Sequence, residues 1–146
     1  MRYVLDCSVA VKWFVPEDDS DRALALLAKY QDLTVDFVSV ETVHSEFGMR
    51  FGAALRRDRL DVAQARHALQ VFLALPLPLV PSRLLAPAAL DLAIAHHTTF
   101  YDALYMALAI REDAPVLTAD ERTATAFAPL DRTVLLRDLD RLKMPR

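Results

Sequence analysis

Four carboxylates of this chain lie at or near the ends of its apolar segments. They are Asp6 after the first apolar run, Glu46 within a helical pattern, Asp102 at the start of another helical segment, and Asp120 after the apolar pair Val116-Leu117. In α/β proteins, ligands bind in the crevice outside the carboxyl ends of the strands, and acidic side chains placed there point into it. Four such groups together would form a strongly negative pocket that favours divalent cations.

Such a pocket is suited to the hydrolysis of a phosphodiester. The phosphodiester is negatively charged and repels a nucleophile, so its hydrolysis needs cations that neutralise the phosphate and activate water. Mg²⁺ and Mn²⁺ prefer oxygen ligands and retain several waters. We therefore expect Asp6 to be the central ligand, Asp102 and Asp120 to bind directly or through water, and Glu46 to bind the ion or orient the attacking water. One ion or two would satisfy this chemistry.

The elements that position these carboxylates follow from the apolar periodicity. Strands are predicted at Tyr3–Leu5, Val35–Val40, Leu79–Val80, Val116–Thr118 and Val134–Leu136. Helices are predicted from Ser8 through Phe14, from Asp18–Ser20 through Tyr30, at Glu41–Arg57, at Asp61–Leu75, from Pro87 in a first turn to His96, at Asp102–Arg111 and at Glu121–Phe127. Helices that alternate with four or five short strands predict an α/β fold, with a short parallel sheet flanked by helices in three layers.

Length and composition indicate one domain that leaves apolar surface for a partner. The 146 residues fit a single domain over 1–146. Hydrophobic residues make up 54% of the chain, and the mean hydropathy of +0.20 is high for a protein with 25% charged residues. Surplus apolar surface favours association, and we expect a homodimer.

Several function classes are disfavoured by charge and residue usage. The net charge of −3 is not the basic excess of a bulk nucleic-acid binder, so contacts with phosphates should be local or run through metal ions. The single cysteine, Cys7, excludes an internal disulfide and suits a reducing compartment. Neither a signal-peptide pattern nor a run of ~18 uncharged residues is found. We expect a cytoplasmic protein without a membrane partner.

Local basic residues offer contacts with a phosphate backbone. The candidates are Lys12, Arg50, Arg56, Arg57 and Arg122, with Arg59 beside the pair at 56–57. The arginines at 56–59 are also what a solvated helix end would carry, and basic residues at a helix end are favoured by its dipole.

Each feature also has a purely structural interpretation. Asp102 or Asp120 alone could be a helix N-cap, and Ser8 could cap the first helix. Trp13 and Phe14 would ordinarily belong to the core, although a groove for a partner segment is an alternative. The four histidines lack a ligand spacing, and none is assigned to catalysis.

Four sequence motifs resemble a known family. They are Val4-Leu5-Asp6-Cys7-Ser8, Glu46-Phe47, the segment Tyr101 to Ala109 that begins Tyr-Asp-Ala, and Leu117-Thr118-Ala119-Asp120. Their order and spacing resemble PIN domains, and most closely the VapC-type toxins of bacterial and archaeal toxin-antitoxin pairs, from Met1 to about Asp138.

This resemblance implies a function, a site and partners. It implies a PIN-like fold and a metal-dependent ribonuclease whose acidic residues match Asp6, Glu46, Asp102 and Asp120. Ser8 and Thr118 match hydroxyl positions that support the acids. RNA would be the substrate, and a cognate antitoxin would be the partner.

The chain departs from the family pattern around Glu46. Met49 stands where asparagine is common, and no proline precedes this helix. Glu41 lies five residues earlier, roughly 140° around a helix, so only one of the two glutamates can face the crevice. The helix phase set by Val43, Phe47 and Phe51 favours Glu46, and so does the family pattern.

Other functions compete with this interpretation. A phosphatase of the haloacid-dehalogenase type needs a second aspartate two residues after the first, where this chain has Ser8. A catalytically silent PIN-like binding module would be expected to lack some of the acids. A PIN nuclease of RNA processing stays possible, although the short single-domain length favours a toxin.

Overall fold

Five short parallel strands form one sheet in a computed structural model of the chain, which describes residues 1–141. The strands are β1 Arg2–Leu5, β2 Asp36–Val40, β3 Leu79–Val80, β4 Val116–Thr118 and β5 Thr133–Leu135. Their order across the sheet is β3-β2-β1-β4-β5. Since every pair is parallel, the carboxyl ends of all the strands lie at one edge. The central strand β1 brings Asp6 to the middle of that edge.

Seven α-helices in the described part of the chain connect and cover the strands. They are α1 Cys7–Ala10, α2 Ser20–Gln31, α3 Val43–Arg56, α4 Val62–Ala74, α5 Ser82–His96, α6 Phe100–Glu112 and α7 Glu121–Ala126. Turns of 3-10 helix follow at Val11–Trp13, Ala128–Leu130 and Leu136–Arg141. None of these helices is long and apolar enough to cross a membrane.

The core is divided into two parts by the sheet. Tyr3 and Leu5 of β1 pack with residues of α1 to α4, whereas Val4 between them packs with residues of α5 and α6. Successive side chains of a strand point to opposite faces, so β1 contributes to both parts of the core. The predicted three-layer α/β fold is confirmed.

Two local predictions are wrong in informative ways. Pro87 does not open its helix, because α5 begins five residues earlier at Ser82 and contains Pro87 in its interior. The backbone N–H and the hydroxyl of Ser82 donate to the Glu41 carboxylate at 2.9 and 2.8 Å. A carboxylate from elsewhere in the chain therefore accepts the first backbone N–H of α5, which has no acceptor within the helix.

A partner groove around Trp13 is also not formed. Trp13 is only 8% exposed, its indole N–H donates to the Ala23 carbonyl at 2.9 Å, and its ring packs near Phe37 and Phe72. Phe14 is partly buried and meets other rings of the core. Trp13 and Phe14 therefore stabilise the packing of the first helical segment, as the structural interpretation expects.

Candidate active site

Asp6 lies at the end of β1 and is the N-cap of α1. Its side chain is buried, and its Oδ1 accepts the backbone N–H of Ser8 at 3.2 Å. Its Oδ2 accepts the hydroxyls of Ser8 at 2.9 Å and Thr118 at 2.5 Å. The structural interpretation proposed Ser8 as the cap of the first helix, but the cap is Asp6. Ser8 instead supports Asp6 through its hydrogen bonds. Burial raises the pKa of Asp6, and these hydrogen bonds oppose the rise.

The same two hydroxyls hold the turn before α7. Ser8 Oγ accepts the Ala119 N–H at 2.9 Å, and Thr118 Oγ1 accepts the Asp120 N–H at 3.0 Å. Strands β1 and β4 are neighbours in register, which brings the two hydroxyls together. A buried network therefore fixes the positions of Asp6 and Asp120 relative to each other.

Asp120 has a structural role of its own, as the capping interpretation expects. It is the N-cap of α7, and its Oδ1 accepts the Arg122 N–H at 2.8 Å while the Arg122 guanidinium lies 3.3 Å from Oδ2. Partial burial raises the pKa of Asp120, but the hydrogen bonds and charge of Arg122 outweigh it and lower that pKa overall. The carboxylate stays ionised beside the network.

Glu46 faces the same cleft from α3. Its Oε1 accepts the hydroxyl of Tyr105 at 3.0 Å and that of Thr42 at 3.4 Å. Burial raises the pKa of Glu46 to about 7, opposed by the Tyr105 hydrogen bond and reinforced by the negative charges of Asp6 and Asp102. Glu46 is thus close enough to both Asp6 and Asp102 to be influenced by their charges. Glu41 points elsewhere, since Ser82 binds its carboxylate.

Asp102 lies in the first turn of α6 but does not cap it. The cap is Thr99, whose Oγ1 accepts the Asp102 N–H at 3.1 Å. The Asp102 carboxylate receives a longer contact of 3.4 Å from the Thr98 hydroxyl. The capping explanation therefore fails for Asp102, and its carboxylate is left available to the cleft.

Tyr105 and Arg50 belong to this cleft, and sequence reasoning assigned no site role to Tyr105. Tyr105 follows Asp102 by three residues, which places both on one side of α6; that spacing was the available signal. Arg50 lies one turn after Glu46 in α3, and its positive charge opposes the raised pKa values of Asp6 and Glu46. Arg50 thus places positive charge beside the acids of the cleft.

The donor set fits a hydrated divalent ion. No three His, Cys, Asp or Glu side chains within residues 1–141 are grouped closely enough to enclose an ion as they stand. Mg²⁺ usually keeps several waters and is held by one or two carboxylates, so it does not require an enclosed set. Oxygen ligands alone, with Glu46 in the field of the negative charges of Asp6 and Asp102, favour a hard cation.

Fold and site together define an α/β protein with an acidic cleft at the carboxyl edge of a parallel sheet. A family model described as PIN domain matches residues 3–128, and the chain belongs to that family. The family predicted from the sequence motifs is confirmed.

Two curated relatives and one solved structure are similar to the chain. Ribonuclease VapC3 of Pyrobaculum aerophilum is 30% identical over 131 residues, which are 89% of this chain and 98% of that protein. Ribonuclease VapC1 of Mycobacterium tuberculosis is 42% identical over 81 residues, 51% of this chain and 59% of that protein. The crystal structure of PAE2754 from Pyrobaculum aerophilum matches with a TM-score of 0.72 at 19% identity, over 95% of this chain and 86% of that one. The last likeness concerns the fold alone.

Proposed function

We propose that this protein is a metal-dependent endoribonuclease that hydrolyses RNA phosphodiester bonds in the cleft of Asp6, Glu46, Asp102 and Asp120. The observation that carries the proposal is a buried, hydroxyl-bound Asp6 within electrostatic reach of Glu46, which also senses the charge of Asp102. The relatives named ribonuclease support RNA as the substrate.

Each acid has a role that follows from its contacts. Asp6 and Asp102 would hold the cation, Asp120 would hold it directly or through water, and Ser8 and Thr118 keep Asp6 and the Asp120 turn in place. Mg²⁺ or Mn²⁺, when bound, would neutralise phosphate charge and lower the pKa of water.

Glu46 is suited to orient the attacking water. Both hydrogen bonds that Glu46 receives from described residues go to Oε1, from Tyr105 and Thr42. Oε2 can therefore accept a hydrogen bond from water and hold its proton. A carboxylate with a raised pKa is a better proton acceptor near neutral pH than an ordinary one.

The test is cleavage of single-stranded RNA by the purified protein with Mg²⁺, with Mn²⁺ and with excess chelator. We expect cleavage only with a divalent cation, and products with 5′-phosphate and 3′-hydroxyl ends, because water is the nucleophile. Undiminished cleavage in chelator, or 2′,3′-cyclic phosphate ends, would contradict the proposal, since the latter mark attack by the RNA's own 2′-hydroxyl.

We further propose that the protein is the toxin of a toxin-antitoxin pair, acts in the cytoplasm, and forms a homodimer that binds a cognate antitoxin. The VapC relatives support the first part. Exposed apolar residues support association: on α5, Leu90 is 54% and Ile94 66% exposed, one helical turn apart. Phe100 and Tyr101 at the start of α6 are exposed as well. Surface of this kind marks contact with another protein.

A further inference from the structure

A groove with basic walls runs from the acidic cleft along α3. Beside Asp120 and Ser8, the cavity is lined by Lys12 and Arg50. An adjoining cavity shares Lys12 and adds Arg59. A third cavity shares Arg50 and Arg59 with the other two and adds Arg57. We call the surface formed by Lys12, Arg50, Arg57 and Arg59 the basic groove.

A single carboxylate lines all three cavities. The carboxylate is that of Glu17. One of its oxygens accepts a hydrogen bond from the Lys12 ammonium at 3.2 Å, and the other accepts one from the Arg59 guanidinium at 3.0 Å. Lys12 also donates to the Asp18 carbonyl at 2.9 Å, and its side chain is only 12% exposed. One carboxylate thus holds two cations at fixed positions on the rim of the groove.

The charge of the groove contrasts with that of the whole chain. The three cavities are lined by these four cations and by four acids, in a protein with a net charge of −3. Two of the acids, Asp120 and Glu121, lie at the end nearest the active site, so that along the rest of the groove the four cations face only Glu17 and Asp18. Glu121, at the end nearest Asp120, is paired with Arg137. Positive charge is therefore concentrated next to the cleft, where a polyanion can be attracted despite the overall negative charge.

We propose that the basic groove binds the phosphates of the RNA strand on one side of the scissile bond. This inference rests on the proposed function. Arg50 stands between the acids and the groove, so a strand whose scissile phosphate lies at the acids would continue past Lys12 to Arg59 and Arg57. Such contacts position a strand without reading its bases.

Two other basic candidates lie outside the groove. The Arg56 guanidinium lies over its own helix, with one nitrogen 3.5 Å from where a Cβ on Gly52 would be. Arg122 is engaged by Asp120 and lines none of the three cavities. Of the basic residues suggested by the sequence, the groove therefore includes Lys12, Arg50, Arg57 and Arg59 and leaves out Arg56 and Arg122.

Binding of a labelled single-stranded RNA of about ten nucleotides, measured by fluorescence anisotropy in chelator over a range of salt concentrations, tests the inference. Arg57→Gln and Arg59→Gln are the test variants, because both arginines are exposed and their loss should leave the fold intact. Arg66→Gln is the matched control: Arg66 is an exposed arginine of α4 that lines none of the three cavities.

We expect each test variant to raise Kd several-fold and to reduce the slope of log affinity against log salt by about 0.7, the loss of one phosphate contact to a single strand. The control should match the wild type. With metal present, the test variants should raise KM more than they lower kcat.

Unchanged Kd and slope in both variants, with a wild type that binds and cleaves RNA, would overturn the groove and leave the proposed function standing. A wild type that neither binds nor cleaves RNA would overturn both. Variants that keep RNA affinity but lose affinity for an oligoglutamate peptide would assign the groove to an acidic protein segment and overturn the inference.

Discussion

At the scale of single residues, Glu46 and Glu41 have similar chemistry and opposite surroundings. Burial raises the pKa of Glu46 to about 7, so its protonated form is favoured in the folded state. The contribution of protonated Glu46 to folding stability is complete below pH 4.5, the ordinary pKa of a glutamate, and is lost as the pH rises through about 7. The hydrogen bonds from Ser82 lower the pKa of Glu41, so Glu41 favours folding above its ordinary value and loses that effect as the pH falls.

Glu46→Gln should therefore stabilise the protein in chelator at pH 8 and change little at pH 4. We expect a gain of about 1–2 kcal/mol, the shift converted to free energy and reduced for solvent screening. Glu41→Gln is the matched control and should lower stability at pH 8. Denaturant unfolding at the two pH values measures both. A Glu46→Gln protein less stable than wild type at pH 8 would show that the carboxylate is not under electrostatic strain.

At the scale of elements, apolar runs were sufficient to predict the strands, and the helices that connect them were found with shifted ends. Pro87 was misplaced because the first backbone N–H of α5 is bound by Glu41, which directly follows strand β2 and lies 41 residues before Ser82. Helix α6 was predicted to begin at Asp102, although its N-cap is Thr99, three residues earlier. Threonine and aspartate are both common N-caps, so residue type alone did not distinguish the two positions. Local pattern identifies an element but not the distant partner that fixes its start.

The sequence suggested the acids of the proposed site but not most of the contacts that surround them. Strand-end positions and the family motifs suggested Asp6, Glu46, Asp102 and Asp120. The Thr118 hydroxyl reaches Asp6 across 112 residues, and only the motif resemblance suggested it. The Tyr105 contact with Glu46 spans 59 residues and was not expected. Such contacts depend on how the strands and helices pack, which no local spacing encodes.

At the scale of the whole molecule, Trp13 is buried, whereas α5 and α6 form one of the surfaces of the described chain that expose large apolar residues. If this face joins two copies, Ile94→Lys should convert a dimer into a monomer, because a buried unpaired charge is strongly unfavourable in an interface. Leu33→Lys is the control, since Leu33 is 88% exposed in the loop after α2. Light scattering at micromolar concentration distinguishes the two states. A wild-type monomer would remove the homodimer from the account.

Asp102 is the best residue for testing whether the acids form a metal site, because Thr99 and not Asp102 caps α6. Asp102→Asn removes one charge and keeps the shape. Mg²⁺ that binds the folded state raises the melting temperature by mass action. The variant should melt at or above the wild-type temperature in chelator, since repulsion with Glu46 is relieved.

Melting curves of the wild type, Asp102→Asn and the exposed control Asp91→Asn, each with and without Mg²⁺, are the decisive measurement. We expect Asp102→Asn to lose most of the Mg²⁺-induced rise and to lose RNA cleavage, while Asp91→Asn retains both. An Asp102→Asn protein that responds fully to Mg²⁺ and still cleaves RNA would contradict the account.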